Sequence, residues 1–446
     1  MKKNLTEGSV AKTLVKFAIP LLLANLLQAL YAVADMIIVG FFSGSNSISA
    51  VSTSGQFTHV ITMFLMGFAT GATVLVAQYE GAGEHELQSK TIGNAIALFA
   101  VIAIIVTAIS LFFGVQILNL LNTPAEAFDE AYRYYIICMS GTIFIMGYNV
   151  ISSILRGMGD SKTPLLMVAI AAITNVIWDL ILVGYYNMGA AGAAYATVGS
   201  QALSVILSFF IVKRRKIFPN FKRTYIRFEK TITTRLLAIG SPMAFQQTIV
   251  SFSFLFLTSI VNSFGVVASA ASGIAGKINA FAILPAAAMM VAISAMSGQN
   301  IGANELKRAK HTMMTGMGLI LPIVAVFSIV IFVNAASFIR IFSTEQDVVE
   351  AGKTFLRISC GEYIFLSVTF SQVGLLVGAG CTNLTLISSL VSSILLRVPL
   401  AALLSRYMGF NGVALAITLS PIASLVLNTI FIRSGRWKSK LVHGQP

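Results

Sequence analysis

Two acids stand in stretches otherwise apolar enough to cross a bilayer: Asp35, in AIPLLLANLLQALYAVADMIIVG (18–40), and Asp179, in the fifth such stretch. Insertion scales put an aspartate at the centre of a membrane helix at about 2.5–3.5 kcal/mol. Each acid therefore needs a partner, a proton or a water-filled cavity. Asn175 lies one turn before Asp179 on the same helix face. At 1.5 Å per residue, Asp35 is about 8 Å below an outer helix end near Gly40, Asp179 is at the same level below Gly184, and Thr197 is about 10 Å down the next helix. Two carboxylates, an amide and a hydroxyl in one layer suit a hard monovalent cation or a shuttled proton. Neighbouring carboxylates out of water favour taking one up. The alternative is that these acids cap helices or pair with a base. In the first half of the chain, the only base near that level is Arg133, towards the outer edge.

The elements that must hold these groups are membrane helices. The chain has 446 residues, 57% hydrophobic and 10% charged, with a mean hydropathy of +0.86. Soluble domains carry about 25% charge. The apolar runs are continuous rather than alternating, which excludes a β-barrel. Twelve spans are expected, at about 14–40, 48–77, 91–113, 130–155, 163–184, 190–212, 236–262, 270–296, 312–333, 351–378, 384–405 and 412–432. The expected fold class is an all-α polytopic membrane protein of two six-helix bundles. Its organisation reads as an N-lobe over 1–212, a basic linker over 213–235, a C-lobe over 236–432 and a tail over 433–446. The first apolar run is too long for a signal-peptide core.

Basic residues set the orientation. With the N-terminus inside, the inner side receives Lys2, Lys3, Lys12, Lys16, Lys90, Arg156, Lys162, nine residues of 213–235, Lys307, Arg308, Lys310, Arg433, Arg436, Lys438 and Lys440, which is 23 of the 30. The outer loops TPAEAFDEA (123–131) and STEQDVVEAG (343–352) are acidic. Both termini are thus expected on the cytoplasmic side of a prokaryotic plasma membrane. The net charge of +14 reflects orientation and contact with anionic lipid, not nucleic acid.

The chain also repeats itself. A slide of about 221 residues sets AQYEGAGE (77–84) on GQNIGANE (298–305), RGMGD (156–160) on VGAGC (377–381) and Cys138 on Cys360, and MGAAG (188–192) falls on MGFNG (408–412) at about the same shift. An even number of helices per half makes the repeats parallel, with sites expected between the halves. The repeat is also a control. Asp35 falls near Leu257 and Asp179 near Leu400, so packing alone does not require the acids.

The second half carries Lys277, Glu362 and Arg397 in the outer parts of its helices. They read either as a charge-compensated triad or as a substrate-facing, pH-sensitive site. His59 reads as a packed or interfacial histidine. Pro20 and Pro242 stand near the starts of the first helices of the two halves, where proline is tolerated. Pro20 also marks a candidate bend. Gly67 and Gly71 suit close helix packing. No GxxxxGK[ST] loop, HExxH, GxSxG or aspartate-rich box occurs. The three cysteines, Cys138, Cys360 and Cys381, make no CxxC spacing. Neither an enzyme nor a bound cofactor is expected, and the driving energy falls to an ion gradient or a partner.

Taken together, ADMIIVG (34–40), LRGMGDSKTPL (155–165), GQNIGANELKRAK (298–310) and the two-by-six plan resemble the multidrug and toxic compound extrusion (MATE) family over essentially the whole chain. The resemblance implies a V-shaped twelve-helix exporter that exchanges an organic cation or other amphipathic compound for inward H⁺ or Na⁺. It is nearest to the DinF-type branch. On that resemblance Asp35, Asn175, Asp179 and Thr197 are the cation site, with any Na⁺ at Asp35 and Asp179. Tyr134 and Asn149 line the cavity, and Pro20 is the bending proline. NorM-type members use acids in helices seven and ten, but 236–262 has none and Glu362 falls early in helix ten. The expected partners are small amphipathic substrates and lipids, with the protein acting as a monomer. Two other readings are a lipid-linked precursor or polysaccharide flippase and a non-transporting receptor. The first would want a basic cavity, for which Lys277 and Arg397 are a thin basis. The second would not need buried acids in one half only.

Overall fold

The computed structural model describes residues 5–438, apart from Asn122, Lys216, Pro219 and the Ser45 side chain. Lys2, Lys3, Lys216, Lys440 and the tail beyond residue 438, which figured in the orientation and domain readings, lie outside the described residues. All regular elements among the described residues are helical. Eleven are long and apolar enough to cross a membrane, or twelve if one bent pair is a single span. In chain order they are α1 (Val10–Gly44), α2 (Asn46–Ala82), α3 (His85–Phe112), α4 (Ala125–Ser140 with Thr142–Gly157), α5 (Lys162–Tyr185), α6 (Gly189–Arg214), α7 (Lys230–Asn262), α8 (Val266–Gly302), α9 (Leu306–Val333), α10 (Gln346–Gly378), α11 (Thr382–Met408) and α12 (Asn411–Arg433).

Local chemistry explains the breaks. The α1–α2 turn is made at Gly44, with φ 78° and ψ −174°, a conformation that glycine alone enters freely. α1 therefore runs four residues beyond the end expected at Gly40. The fourth span is not one straight helix but bends by 45° between its two parts, at Gly141. A Cβ on Gly141 would stand 2.4 Å from Val198 Cγ2, so the absence of a side chain there lets α4 close on α6. α10 is interrupted in the matching place, at Cys360 and Gly361. The repeat thus extends to a helix break that composition does not disclose.

The helices form two compact units. The first is built from Leu23–Ala244 and so takes in the later part of α1, α2–α6, and α7 as far as Ala244. Asn94 of α3 fixes the start of α7 within it: Thr233 Oγ1 donates to Asn94 Oδ1 at 3.0 Å, and Asn94 Nδ2 donates to the Glu229 carbonyl at 3.3 Å. Arg235 Nη1 donates to the Tyr79 hydroxyl at 3.1 Å. Among the described residues, the second unit takes 5–22 and 245–438. Here Leu5 N donates to Gln299 Oε1 at 3.1 Å, and Arg308 Nη2 donates to the Glu7 and Gly8 carbonyls, both at 2.9 Å. Its core includes Leu14 and Phe17 of α1 with Ile293, Met296 and Leu375. Helix boundaries and unit boundaries therefore differ, since α1 and α7 each contribute to both units. Pro20 and Pro242 stand two residues before the respective changeovers.

Candidate functional site

The site lies in the first unit and starts from the packing of α5 on α6. Trp178 seats its ring on Gly199, where a Cβ would stand 2.0 Å from Trp178 Cζ3. Asp179 follows Trp178 directly and is fully buried. It is the last residue of the α-helical part of α5, and the next turns, Leu180–Tyr185, are π-helical. Such turns are rare and concentrate at functional sites. One turn earlier, Asn175 Nδ2 points to Thr197 Oγ1 of α6 at 3.5 Å.

Asp35 arrives from α1. Its carboxyl group and that of Asp179 come within hydrogen-bonding range of each other. With α1 ending at Gly44, Asp35 is about 14 Å from the helix end rather than 8 Å. The expected neighbours are thus brought together in two linked pairs, Asp35 with Asp179 and Asn175 with Thr197. Tyr134 of α4 is buried beside both acids and meets the Cys138 thiol.

Three further groups complete the surround. The Tyr31 hydroxyl pairs with the Gln201 side chain and lies near Asp35 and Tyr148, while Cys138 reaches Tyr134. Each is one turn from a residue singled out in the sequence: Tyr31 from Asp35, Gln201 from Thr197, Cys138 from Tyr134. Helical spacing alone carried that signal.

The acceptors outnumber the donors. Asp35 Oδ1, both Asp179 carboxylate oxygens, Asn175 Oδ1 and Gln201 Oε1 are buried without a hydrogen-bond donor. Buried polar atoms are ordinarily satisfied. A set of orphaned hard oxygens is what a proton or a small monovalent cation would complete. Among the described residues, no group of three or more His, Cys, Asp and Glu could hold a metal ion, so the set differs from a transition-metal site.

Other sequence candidates fall elsewhere. Asn149 is buried, and its Nδ2 donates to the Ile145 carbonyl of its own helix at 2.8 Å. His59 is exposed on α2. Pro20 is buried in α1, whose backbone departs from helical angles only at Gly44. In the second unit, Arg397 Nη2 lies 3.8 Å from Glu362 Oε1, and both side chains are 5% exposed. Lys277 does not join them. It is exposed on α8, two residues from Asn279, whose amide faces Ser359 and Tyr363 of α10. Residues two apart point to opposite sides of a helix. The expected triad is therefore a pair.

The same family model, MatE, matches the chain twice, over residues 20–181 and 242–403. The chain belongs to the MatE family. The two matches divide it as the internal repeat does. A probable multidrug resistance protein of Bacillus subtilis strain 168, YpnP, is 30% identical over 436 residues, covering 98% of each chain. The probable multidrug resistance protein NorM of Thermotoga maritima is 27% identical, covering 97% of this chain and 94% of its own. Among solved structures, a MOP superfamily transporter from Pyrococcus furiosus superposes with a TM-score of 0.91 at 21% identity, covering 98% of both chains. The twelve-helix MatE fold and the apolar helices make this chain an integral membrane protein.

Proposed function

We propose that this MatE protein is a cation-coupled antiporter that exports drugs or other small amphipathic, often cationic, compounds by alternating access. H⁺ or Na⁺ is the coupling ion, taken up at Asp35 and Asp179 with Asn175 and Thr197 beside them. The observation that carries this reading is the meeting of two carboxyl groups whose oxygens lack donors in an apolar unit. A cation arriving there neutralises like charges that otherwise repel, so occupancy and helix packing are linked. Asp35 is on α1, the helix that passes Pro20, and Pro20 would supply the bend. The names of the relatives point to multidrug export. The reading places the protein in the prokaryotic cytoplasmic membrane as a monomer, with cytoplasmic termini, needing no cofactor and acting as a transporter rather than an enzyme.

The test is efflux of a cationic dye from proteoliposomes under H⁺ and Na⁺ gradients imposed separately. One gradient should drive export and the other should not. Export that proceeds equally with neither gradient overturns the reading.

A further inference from the structure

The first unit carries a charge that the acid pair does not use. Arg156 stands in the last turn of the second part of α4. It is half-buried, and no carboxylate pairs with it among the described residues. Its Nη2 donates to Ser153 Oγ at 2.8 Å, while Nε is buried without an acceptor. A charge drawn out of water is ordinarily paired.

The acid best placed in sequence to neutralise Arg156 is committed elsewhere. Asp160 follows it by four residues, but its Oδ1 accepts from the Lys162 and Thr163 amides, both at 3.0 Å, and its Oδ2 from Thr163 Oγ1 at 2.6 Å. The helix has also ended by then, with Gly159 at φ 81°. Nor is the turn that carries the charge free to shift. Thr73 Oγ1 of α2 donates to the Ser153 carbonyl at 3.0 Å, and a Cβ on Gly157 would stand 2.6 Å from the Thr73 carbonyl oxygen. α4 thus touches the α2 backbone just after Arg156 and is tied to α2 just before it.

Arg156 ends a column of polar groups that has the acid pair at its other end. Tyr148, Ser152 and Arg156 follow one another at four-residue steps, on one face of α4 and over about 12 Å. The Tyr148 side chain is near both Arg156 and Tyr31, and Tyr31 is near Asp35. Ser152 Oγ and Gln201 Oε1 are buried without partners, and internal water satisfies groups of this kind. The two ends are opposite in kind: acceptors lack donors at the acids, and a donor lacks an acceptor at Arg156. The slide that sets RGMGD on VGAGC places Val373 at Ser152 and Val377 at Arg156. The charge therefore goes with the half that holds the acid pair.

We propose that Arg156 is an electrostatic stopper, whose fixed charge bars cations from running along this column past the acid pair and so prevents ion leak without cargo. An arginine in a water-lined path excludes protons and cations. At about 4 Å and an effective dielectric near 20, one unit charge disfavours another about a thousandfold. The inference rests on the export reading, since an exporter that leaks its coupling ion loses the gradient that drives it.

The test is ion leak into proteoliposomes of the full-length protein without cargo, under H⁺ and Na⁺ gradients imposed separately, with an internal dye for each ion. The parent should be as tight as protein-free vesicles. Arg156→Gln should raise the leak of one of these ions at least about tenfold, and Arg156→Lys, which keeps the charge, should stay tight. Asp35→Asn added to Arg156→Gln should abolish the leak, because the cation reaches the column through the acid pair, whereas a leak from damaged packing would persist. Ser152→Asp sets a carboxylate one turn from Arg156, cancels its charge in place and should leak as well. It carries the test if Arg156→Gln does not fold. Folded Arg156→Gln and Ser152→Asp variants as tight as the parent, a parent as leaky as they are, Arg156→Lys leaking like Arg156→Gln, or a leak that survives Asp35→Asn overturns the proposal. Leak is read without cargo and gradient-driven export with it, so either reading can fail while the other stands.

Discussion

Asp35 of α1 and Asp179 of α5 face each other within hydrogen-bonding range, with Asp35 Oδ1 and both oxygens of Asp179 lacking a donor. Replacing either by asparagine keeps the volume and removes the charge. Asp35→Asn and Asp179→Asn should each abolish gradient-driven efflux, and the double variant should be no worse than either, because the two act as a unit. Membrane insertion should be unchanged. Efflux in proteoliposomes, with protein amount in the membrane measured in parallel, checks this. Normal export by Asp35→Asn would sink the assignment.

The seat of Trp178 on Gly199 leads to a second expectation. Even a methyl group at residue 199 would stand 2.0 Å from the indole, so Trp178 and the adjoining Asp179 must move. Overpacking of this kind costs about 1–3 kcal/mol. Gly199→Ala should lower thermal stability in detergent and impair ion-driven export. Trp178→Leu on that background should recover stability by making room. If Gly199→Ala melts and transports like the parent, Gly199 does not position the acid.

The buried pair in the second unit gives a third. Taking away one partner of such a pair costs about 3–5 kcal/mol, whereas replacing both with apolar or neutral groups is far milder. The 3.8 Å spacing favours the lower end. Arg397→Met should therefore destabilise by about 3 kcal/mol, and Arg397→Met with Glu362→Gln should regain most of the loss. Denaturation of the purified variants in detergent measures both, and strictly additive losses would show that the two charges are not coupled.

Much of this arrangement is legible in the residues, and what is not has physical causes. Hydropathy marks the spans, and the repeat sets Asp35 and Asp179 against leucines, Leu257 and Leu400, in the other half. Rise per residue sets depth, so Asp35, Asp179, Asn175 and Thr197 fall near one level. Depth does not fix the direction in which a side chain points. For that reason Lys277 counts with Glu362 and Arg397 along the membrane normal yet faces away from them. Nor does composition reveal a break such as the one at Gly141, since glycine is equally at home in a tight crossing. The division of α1 and α7 between two units depends on contacts far apart in the chain, such as Asn94 with Thr233, which no local pattern encodes. Tyr31, Gln201 and Cys138 were within reach of helical spacing, but each is an ordinary residue until its neighbour's role is known.

The π-helical end of α5 has a further consequence. Over Leu180–Tyr185 the chain closes its turns with one residue more than an α-helix needs. Recoiling those turns as α-helix would advance the register by one place, a rotation that builds up along Leu180–Tyr185 to about 100° at its end, leaving Asp179 where it is. The C-terminal end of α5 is thus like a screw with a spare thread: a local change of pitch next to the acid would reset its facing without unfolding the helix.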